Sequence, residues 1–160
     1  VGVRTTQGLA YGMANAVRPG KTPLSSMSPT IVLKEGEPVL AVGSAGGPRI
    51  ITSTLQLIIN TLDYGMMMDS AVKTPHMCCL TRDQGLELEE GFSPDTVKLL
   101  EARGHKIAGT TDFGVLLVMP NGIMKKDGQF FPGGTSRVDG GGGVLTKAGT
   151  AAIDGICFKF

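Results

Sequence analysis

NAVRPGKTPLSSMSPTIVLKEGEPVLAVGSAGGPRIITSTLQLIINTLDYG, residues 15 to 65, contains in order a polar loop, a hairpin, a glycine turn and a long apolar helix. Residues 30–33 and 39–42 are β-branched or apolar, and the turn sequence Lys34-Glu35-Gly36-Glu37 separates them. This arrangement predicts a β-hairpin. Because neither run alternates strictly with polar residues, we expect both strands to be buried, as in a sheet covered by helices.

A glycine turn, Gly43 to Gly47, connects the second strand to the helix. The apolar run Pro38–Val42 precedes this turn, and Pro48 follows it at a position suited to the start of a helix. Such a junction leaves backbone amides free at the positive end of the helix dipole, where they can hold a phosphate, a carboxylate or an acyl-transfer oxyanion. The turn lacks the P-loop lysine and the glycine spacing of a dinucleotide fingerprint, so nucleotide binding is not favoured. The alternative is a tight turn without a ligand.

Ser25 and Ser26 lie in the polar loop before the hairpin. Pro19-Gly20 marks a turn, and Thr22-Pro23 keeps the backbone extended, because residues before proline avoid the helical region. Two hydroxyls and two amides in one short extended segment are enough donors to hold a carboxylate. The alternative is that the serines only stabilise a turn.

The helix is predicted over residues 48–64, with Gly65 as its C-terminal cap. Its core face is expected to contain Ile51, Leu55, Ile58 and Leu62, widened by Ile50, Leu57 and Ile59. Arg49 lies in the first turn, where a cation is unfavourable for the helix dipole. Arg49 therefore either pairs with a carboxylate or a substrate group, or is a solvated surface residue.

The remaining elements are predicted from shorter patterns. Met66-Met67-Met68 is typical of core packing, and a short helix follows at Asp69–Lys73, ended by Pro75. Ser93 and Pro94 are the cap and first residue of a helix that Gly104 ends. The other predictions are a half-exposed strand at Leu86–Glu89, strands at His105–Ala108 and Gly114–Met119, a hairpin turn at Asn121-Gly122, and a glycine-rich loop near the site over residues 130–143.

Composition excludes several classes of protein. The chain has 15 basic and 14 acidic residues, 24 Gly, 2 Tyr and no Trp, which gives no electrostatic or aromatic signal for nucleic acid. No apolar run is long enough to span a membrane. Cys78 and Cys79 are neighbours, so at most one ordinary disulfide, to Cys157, is expected. His76 lies beside them, but no second Cys/His pair stands at ligand spacing, so no metal site is predicted.

The chain resembles the small-subunit core of the γ-glutamyltranspeptidase family in two motifs and their separation. These motifs are PLSSMSPT, residues 23–30, and GSAGGPRIIT, residues 43–52. Further segments follow in the family's order: Asp63-Tyr64-Gly65, Ala71-Val72 with Thr74-Pro75, EGFSPDT at 90–96, and LLEARG at 99–104. The resemblance covers residues 15–119 and is weaker beyond. There Gly134-Thr135-Ser136-Arg137 replaces an Asp-containing segment before an arginine, and residues 144–160 have no counterpart.

The resemblance implies a mixed α and β fold, the αββα sandwich of the N-terminal-nucleophile hydrolases, of which this chain is part of the small subunit. It implies that Gly46 and Gly47 supply the amides of an oxyanion hole and that Ser25 and Ser26 bind the α-carboxylate of a γ-glutamyl group. The family's nucleophile is an N-terminal threonine, expected upstream and absent from this chain, because Thr5 and Thr6 stand too near Ser25 to correspond to it.

The implied activity is hydrolysis or transfer of the γ-glutamyl group of glutathione and γ-glutamyl amides, without a cofactor. The implied partners are the large subunit and the upstream part of the small subunit, in the periplasm or outside the cell. We expect three segments: an irregular N-terminal arm at 1–18, the family-like core at 15–128, and a glycine-rich loop with a divergent tail at 129–160. The alternatives are a non-catalytic homologue that keeps carboxylate binding, a poly-γ-glutamate depolymerase or a cephalosporin acylase. The serine pair favours a γ-glutamyl substrate.

Overall fold

The computed structural model describes residues 3–4, 10–112, 118–137, 142–146 and 149–153. The helices are α1 (Ile50–Leu62), α2 (Met68–Lys73) and α3 (Pro94–Ala102), with 3-10 turns at Met13–Asn15 and Gly47–Arg49. The strands are β1 (Val3–Arg4), β2 (Ala10–Tyr11), β3 (Thr30–Lys34), β4 (Glu37–Ala45), β5 (Met77–Cys78), β6 (Leu86–Glu89), β7 (Ile107–Thr111), β8 (Met119–Lys126), β9 (Gln129–Gly133), β10 (Gly142–Thr146) and β11 (Gly149–Ile153).

Strands β3, β4, β8 and β9 form an antiparallel four-stranded sheet in that order. The predicted β3–β4 hairpin is confirmed, and its turn lies at Glu35-Gly36. Strand β4 continues past the predicted end at Val42 to Ala45, because Ala45 still pairs with Met119 of β8. The glycine turn is therefore shorter than expected and consists of Gly46 and Gly47.

The prediction that both hairpin strands are buried is wrong for β3. Ile31 and Leu33 are 67% and 59% exposed. Within the described residues β3 has only β4 as a neighbour, and Ile31 pairs with Ala41, on the face opposite to the buried Leu40. One face of the sheet is thus covered by helices, and on the opposite, open face Ile31 is exposed among the described residues.

Helices α1 and α2 pack on one face of the four-stranded sheet. The core between them consists of Leu40, Val42, Leu57, Met68, Ala71 and Val72. Met68 is fully buried, which confirms core packing for this methionine. Gly122 and Gly133 lie opposite each other beneath Met68, and an added Cβ would come within 2.8 Å of its sulfur or its backbone.

Helix α1 buries a different face from the predicted one. Its buried residues are Ile50, Ser53, Thr54, Leu57 and Thr61. Three residues of the expected core face are exposed instead: Ile51, Leu55 and Leu62. The helix has apolar residues around most of its circumference, so periodicity alone does not select a face. The face with small hydroxyl side chains packs on the sheet. The buried Thr61 hydroxyl has a hydrogen-bond partner within the helix, because it donates to the Leu57 carbonyl at 2.7 Å.

Strands β5, β6 and β7 form a separate three-stranded sheet in which β6 and β7 run parallel. Helix α3 is the crossover between these two strands, as parallel pairs require. Its predicted start is confirmed, because the Ser93 hydroxyl accepts from the Thr96 amide at 3.1 Å and Pro94 is the first helical residue. The following strand covers residues 107–111, two residues later than the predicted start.

Two predictions in the last third of the chain are wrong. Asn121-Gly122 is not a turn but lies inside β8, opposite Gly43 and Val42. The turn after β8 is Asp127-Gly128, whose φ values of 50° and 76° match a type I′ hairpin turn. Residues 129–133 are strand β9 rather than a loop, because they pair with β8.

Other regions add two short antiparallel pairs. In the N-terminal arm β1 pairs with β2, and in the tail β10 pairs with β11. Thr5, Thr6, most of the predicted strand at 114–119, and Cys157 lie outside the described residues. In the described part of the chain no helix is long and apolar enough to cross a membrane.

Candidate functional site

The serine loop and the diglycine bend meet in the folded chain. The Ser26 hydroxyl donates to the Gly47 carbonyl at 2.7 Å, although the two residues are 21 positions apart. Ser26 is half-buried and Ser25 is exposed. The structure therefore brings together the two candidate elements that the sequence analysis singled out.

Successive hydroxyls fix the conformation of the serine loop. The Thr30 hydroxyl donates to the Ser28 carbonyl, and the Ser28 hydroxyl donates to the Ser26 carbonyl, both at 3.2 Å. The Ser25 hydroxyl accepts from the Met27 amide at 3.2 Å. Because Ser25 is the acceptor in this bond, its own proton remains for an external oxygen, whereas the Ser26 proton is held by Gly47.

The diglycine bend has a backbone that other residues rarely adopt. Gly46 has φ 141° and ψ 22°, and Gly47 has φ 60°. Both carbonyls are engaged: that of Gly46 accepts from the Arg49 amide, and that of Gly47 accepts from Ile50 and Ser26. Within the described residues neither glycine amide has an acceptor. The bend thus offers two backbone donors close to the start of α1, the kind of group that stabilises an oxyanion.

Arg49 pairs with a carboxylate, which decides between its two predicted roles. Its Nε and Nη2 donate to the two oxygens of Glu87, each at 2.9 Å. The hydrogen bond to Glu87 raises the pKa of Arg49 despite the opposing effect of partial burial. This fork connects the start of α1 to β6 and so fixes the diglycine bend relative to the three-stranded sheet.

A second ion pair is buried and was missed by sequence reasoning. Arg137 and Glu89 have 1% and 0% side-chain exposure, and the Arg137 Nε donates to Glu89 Oε1 at 2.8 Å. The guanidinium also donates to the Val72 carbonyl at 2.7 Å and to the Thr74 carbonyl at 2.9 Å. The His76 amide donates to Glu89 at 2.7 Å. This cluster ties the end of α2 to β6.

The pKa values in this cluster follow from burial and charge. Burial, and then the neighbouring Arg137 charge, lower the pKa of His76 to about 4, so its ring is neutral at pH 7. The His76 Nδ1 lies 2.9 Å from both the Arg137 Nη2 and the Thr74 carbonyl oxygen, so the tautomer decides whether it accepts from the arginine or donates to the carbonyl. Burial alone would raise the pKa of Glu89, but hydrogen bonds from Arg137 and from the His76 amide outweigh it and lower that pKa.

The strand Leu86–Glu89 is more buried than its alternation predicted. Glu89 is fully buried and Glu87 is half-buried, because each carboxylate faces an arginine from a distant segment. One feature of the sequence pointed to the buried partner of Glu89, because Arg137 ends the segment that departs from the family resemblance. An isolated arginine in a glycine-rich stretch does not identify its partner.

The group His76, Cys78 and Cys79 does not converge. Cys78 is buried and Cys79 is exposed, and burial raises the pKa of Cys78. Its sulfur is 3.4 Å from the Thr52 hydroxyl. In the ranges that the structure describes, no three His, Cys, Asp or Glu side chains lie close enough to hold a metal ion.

Comparison with known proteins places these motifs in a family. The model of the family described as gamma-glutamyltranspeptidase matches residues 2–142. The glutathione hydrolase proenzyme of Escherichia coli strain K12 is 52% identical over 107 residues, covering 67% of this chain and 18% of the relative. The acylase ACY 1 proenzyme of Pseudomonas sp. strain SE83 is 41% identical over 96 residues, covering 60% of this chain and 17% of the relative.

A solved structure shows the same fold. The T380A mutant of gamma-glutamyltranspeptidase from Helicobacter pylori superimposes with a TM-score of 0.75 at 39% identity, covering 86% of this chain and 74% of the matched chain. This likeness confirms the predicted mixed α and β fold of the N-terminal-nucleophile hydrolases, of which the chain supplies a part. The chain spans about a fifth of the length of the curated relatives it matches.

Proposed function

The chain belongs to the gamma-glutamyltranspeptidase family, and on that premise we propose that it is the C-terminal part of a γ-glutamyl hydrolase or transferase. The proposed substrates are glutathione and other γ-glutamyl amides. The observation that carries the proposal is the hydrogen bond from the Ser26 hydroxyl to the Gly47 carbonyl. It sets a candidate carboxylate-binding loop against two backbone amides that have no acceptor among the described residues. Carboxylate binding and oxyanion stabilisation are two of the functions that cleavage of a γ-glutamyl amide requires.

In the proposed reaction, the Gly46 and Gly47 amides stabilise the negative charge that develops on the scissile carbonyl oxygen. Removing one donor from an oxyanion hole costs on the order of 3 kcal/mol of transition-state stabilisation. Backbone amides that are already oriented need no rearrangement at the moment of reaction. The left-handed backbone at Gly47 supports this role, because a side chain would strain the bend.

The α-carboxylate of the substrate is proposed to bind to the Ser25 hydroxyl and the Ser26 amide. The Ser25 hydroxyl already accepts from Met27, so its proton is free to donate outward. The side chain of Ser26 has a different proposed role: its bond to Gly47 holds the bend in place. Thus the Ser25 side chain and the Ser26 backbone are proposed to bind the substrate, and the Ser26 side chain is proposed to position the oxyanion amides.

The nucleophile is proposed to come from outside this chain. An N-terminal threonine, with its own amine as the base, would attack the γ-glutamyl carbonyl. The amide C–N bond then breaks, the proton passes from the threonine amine to the leaving amine, and an acyl-enzyme remains. Water then releases glutamate, or an acceptor amine takes the γ-glutamyl group. The attacking hydroxyl approaches one face of the carbonyl carbon while the glycine amides hold the carbonyl oxygen.

The open face of the four-stranded sheet supports partnership with the rest of the protein. Ile31, Ala41 and Ile123 line a shallow cavity of about 450 Å³ on this face. In a sandwich fold such a face is covered by a second sheet, whose side chains interdigitate with it. We propose that the large subunit and the upstream part of the small subunit supply that cover.

The test measures release of nitroaniline from γ-glutamyl-p-nitroanilide by the full-length protein and its variants. Ser25→Ala is expected to raise KM about tenfold or more with little change in kcat, because a hydrogen bond to a charged group is lost. Ser26→Ala is expected to lower kcat about tenfold at nearly unchanged KM, because the bend loses its brace. Wild-type kinetics in both variants would refute both serine roles.

A second substrate distinguishes the γ-glutamyl hypothesis from the acylase hypothesis. The similarity to the acylase ACY 1 proenzyme favours the acylase hypothesis. The γ-aminobutyryl anilide has the same scissile bond but no α-carboxylate. A γ-glutamyl enzyme should cleave it much more slowly, and Ser25→Ala should leave its rate unchanged. Equal cleavage of both anilides would favour an acylase, and cleavage of neither by the full-length protein would favour the non-catalytic homologue.

A further inference from the structure

A second cavity, of about 610 Å³, lies beside the three-stranded sheet and shares no lining residue with the site described above. Four basic side chains line it: Arg82, Arg103, His105 and Lys106. No Asp or Glu is among its lining residues. Its size falls in the range of small-molecule sites.

The cavity wall is fixed by backbone contacts. The Leu86 amide donates to the Lys106 carbonyl at 2.7 Å, which joins the start of β6 to the segment before β7. Gly85 has φ +83°, and an added Cβ there would lie 2.6 Å from the same carbonyl. The basic residues thus project from segments that are held together closely and do not depend on long mobile loops.

The positive charge of the cavity is not compensated within the described residues. None of its four basic side chains is in an ion pair with a described carboxylate, and Lys106 makes only a 3.4 Å bond to the Asp83 carbonyl. The dipole of α3 explains why a cation is favourable at Arg103, which follows the last helical residue. It does not account for Arg82 and Lys106, which come from other segments.

We propose that this cavity binds a small anion that carries two or more carboxylate or phosphate groups. Arginine guanidinium groups hold carboxylates and phosphates through paired hydrogen bonds, and two of them line this wall. A cleft lined by one sign of charge also raises the local concentration of counter-ions. The proposed site is separate from the γ-glutamyl site and does not depend on that assignment.

Calorimetry on the full-length protein at about 0.15 M salt tests the proposal with two probes, citrate and inorganic pyrophosphate. The two probes distinguish carboxylate from phosphate chemistry. Arg82→Ala with Arg103→Ala is expected to weaken binding of the preferred probe about tenfold or more. The matched control is Lys34→Ala with Lys98→Ala, which removes the same charge from exposed positions outside the cavity. The control is expected to change binding less than about twofold.

Cys79 provides a second readout on the wild-type chain. It is exposed and lines the cavity, whereas Cys78 is buried and serves as an internal reference. A saturating probe is expected to slow alkylation of Cys79, measured peptide by peptide, and to lose this effect in the double arginine variant. The proposal is overturned if neither probe binds saturably, if both double variants weaken binding equally, or if Cys79 is not protected.

Discussion

Replacing Arg137 with methionine tests how the end of α2 is held to the three-stranded sheet. The guanidinium donates to Glu89 and to the carbonyls of Val72 and Thr74. Methionine has a similar length but no charge and no donor. The substitution therefore leaves the Glu89 carboxylate in place, with no exposed side-chain surface, and removes its cation.

The expected loss of stability is about 3–5 kcal/mol, the usual cost of leaving one member of a buried ion pair without its partner. Among the described residues, Glu89 would keep the His76 amide, at 2.7 Å, as its remaining donor. The two carbonyls at the end of α2 lose donors as well, so the cost should lie in the upper half of this range. Domains of this size have a total stability of about 5–15 kcal/mol, so the variant should unfold at a much lower denaturant concentration.

The assay is urea unfolding followed by far-ultraviolet circular dichroism, because the chain contains no tryptophan. The matched control is Lys98→Met, which breaks a pair with Asp95 whose members are 75% and 91% exposed. Its expected effect is within about 0.5 kcal/mol. Adding Glu89→Gln to Arg137→Met should recover part of the loss, because no unpaired charge is then buried.

The reasoning would be refuted by either of two results. The first is that Arg137→Met destabilises the chain no more than Lys98→Met does. The second is that adding Glu89→Gln lowers the stability further instead of restoring part of it. In both cases Glu89 would not be a buried carboxylate that depends on this arginine.

Three further predictions rest on single contacts. Burial depresses the pKa of His76 to about 4, so between about pH 6.5 and 4 the unfolded chain binds a proton that the folded chain does not. The free energy of unfolding should therefore fall by about 3 kcal/mol as the pH drops through this range. In urea titrations, His76→Gln should flatten this part of the pH profile. Ser93→Ala should cost about 1 kcal/mol by removing the α3 cap, whereas Ser93→Asp should keep most of the stability. Gly133→Ala should lower the free energy of unfolding by about 1–3 kcal/mol, because the new Cβ would lie 2.7 Å from the Met68 carbonyl oxygen. The control Gly43→Ala has open space around its Cβ and should melt like the wild-type chain.

Local sequence was sufficient for the elements whose signals lie within a few residues. The hairpin predicted at residues 30–42, the short helix predicted at 69–73 and the start of α3 at Ser93-Pro94 are all present, because turn residues, caps and proline act on their own neighbours. The family motifs also lie in short runs, so the candidate serines and glycines could be named. Their roles stay predictions until the kinetic test is made.

Competing local signals were resolved only by packing. Asn121-Gly122 and Asp127-Gly128 are both typical turn sequences, yet only the second is a turn. Gly122 lies inside β8 because Met68 of α2 requires a residue without a side chain at that point. No neighbour in the sequence carries that information.

The sequence by itself determined the family, the helices α1, α2 and α3, the strands β3, β4, β6 and β7, and the identity of the candidate site residues. The tertiary structure decided which face of α1 is buried, that both glutamates of β6 are ion-paired, and that Ser26 touches Gly47. These contacts join residues 21, 38 and 48 positions apart. Propensities and caps act over a few residues, whereas the burial of a charge or of a helix face depends on which distant segment packs against it, and only the folded chain fixes that.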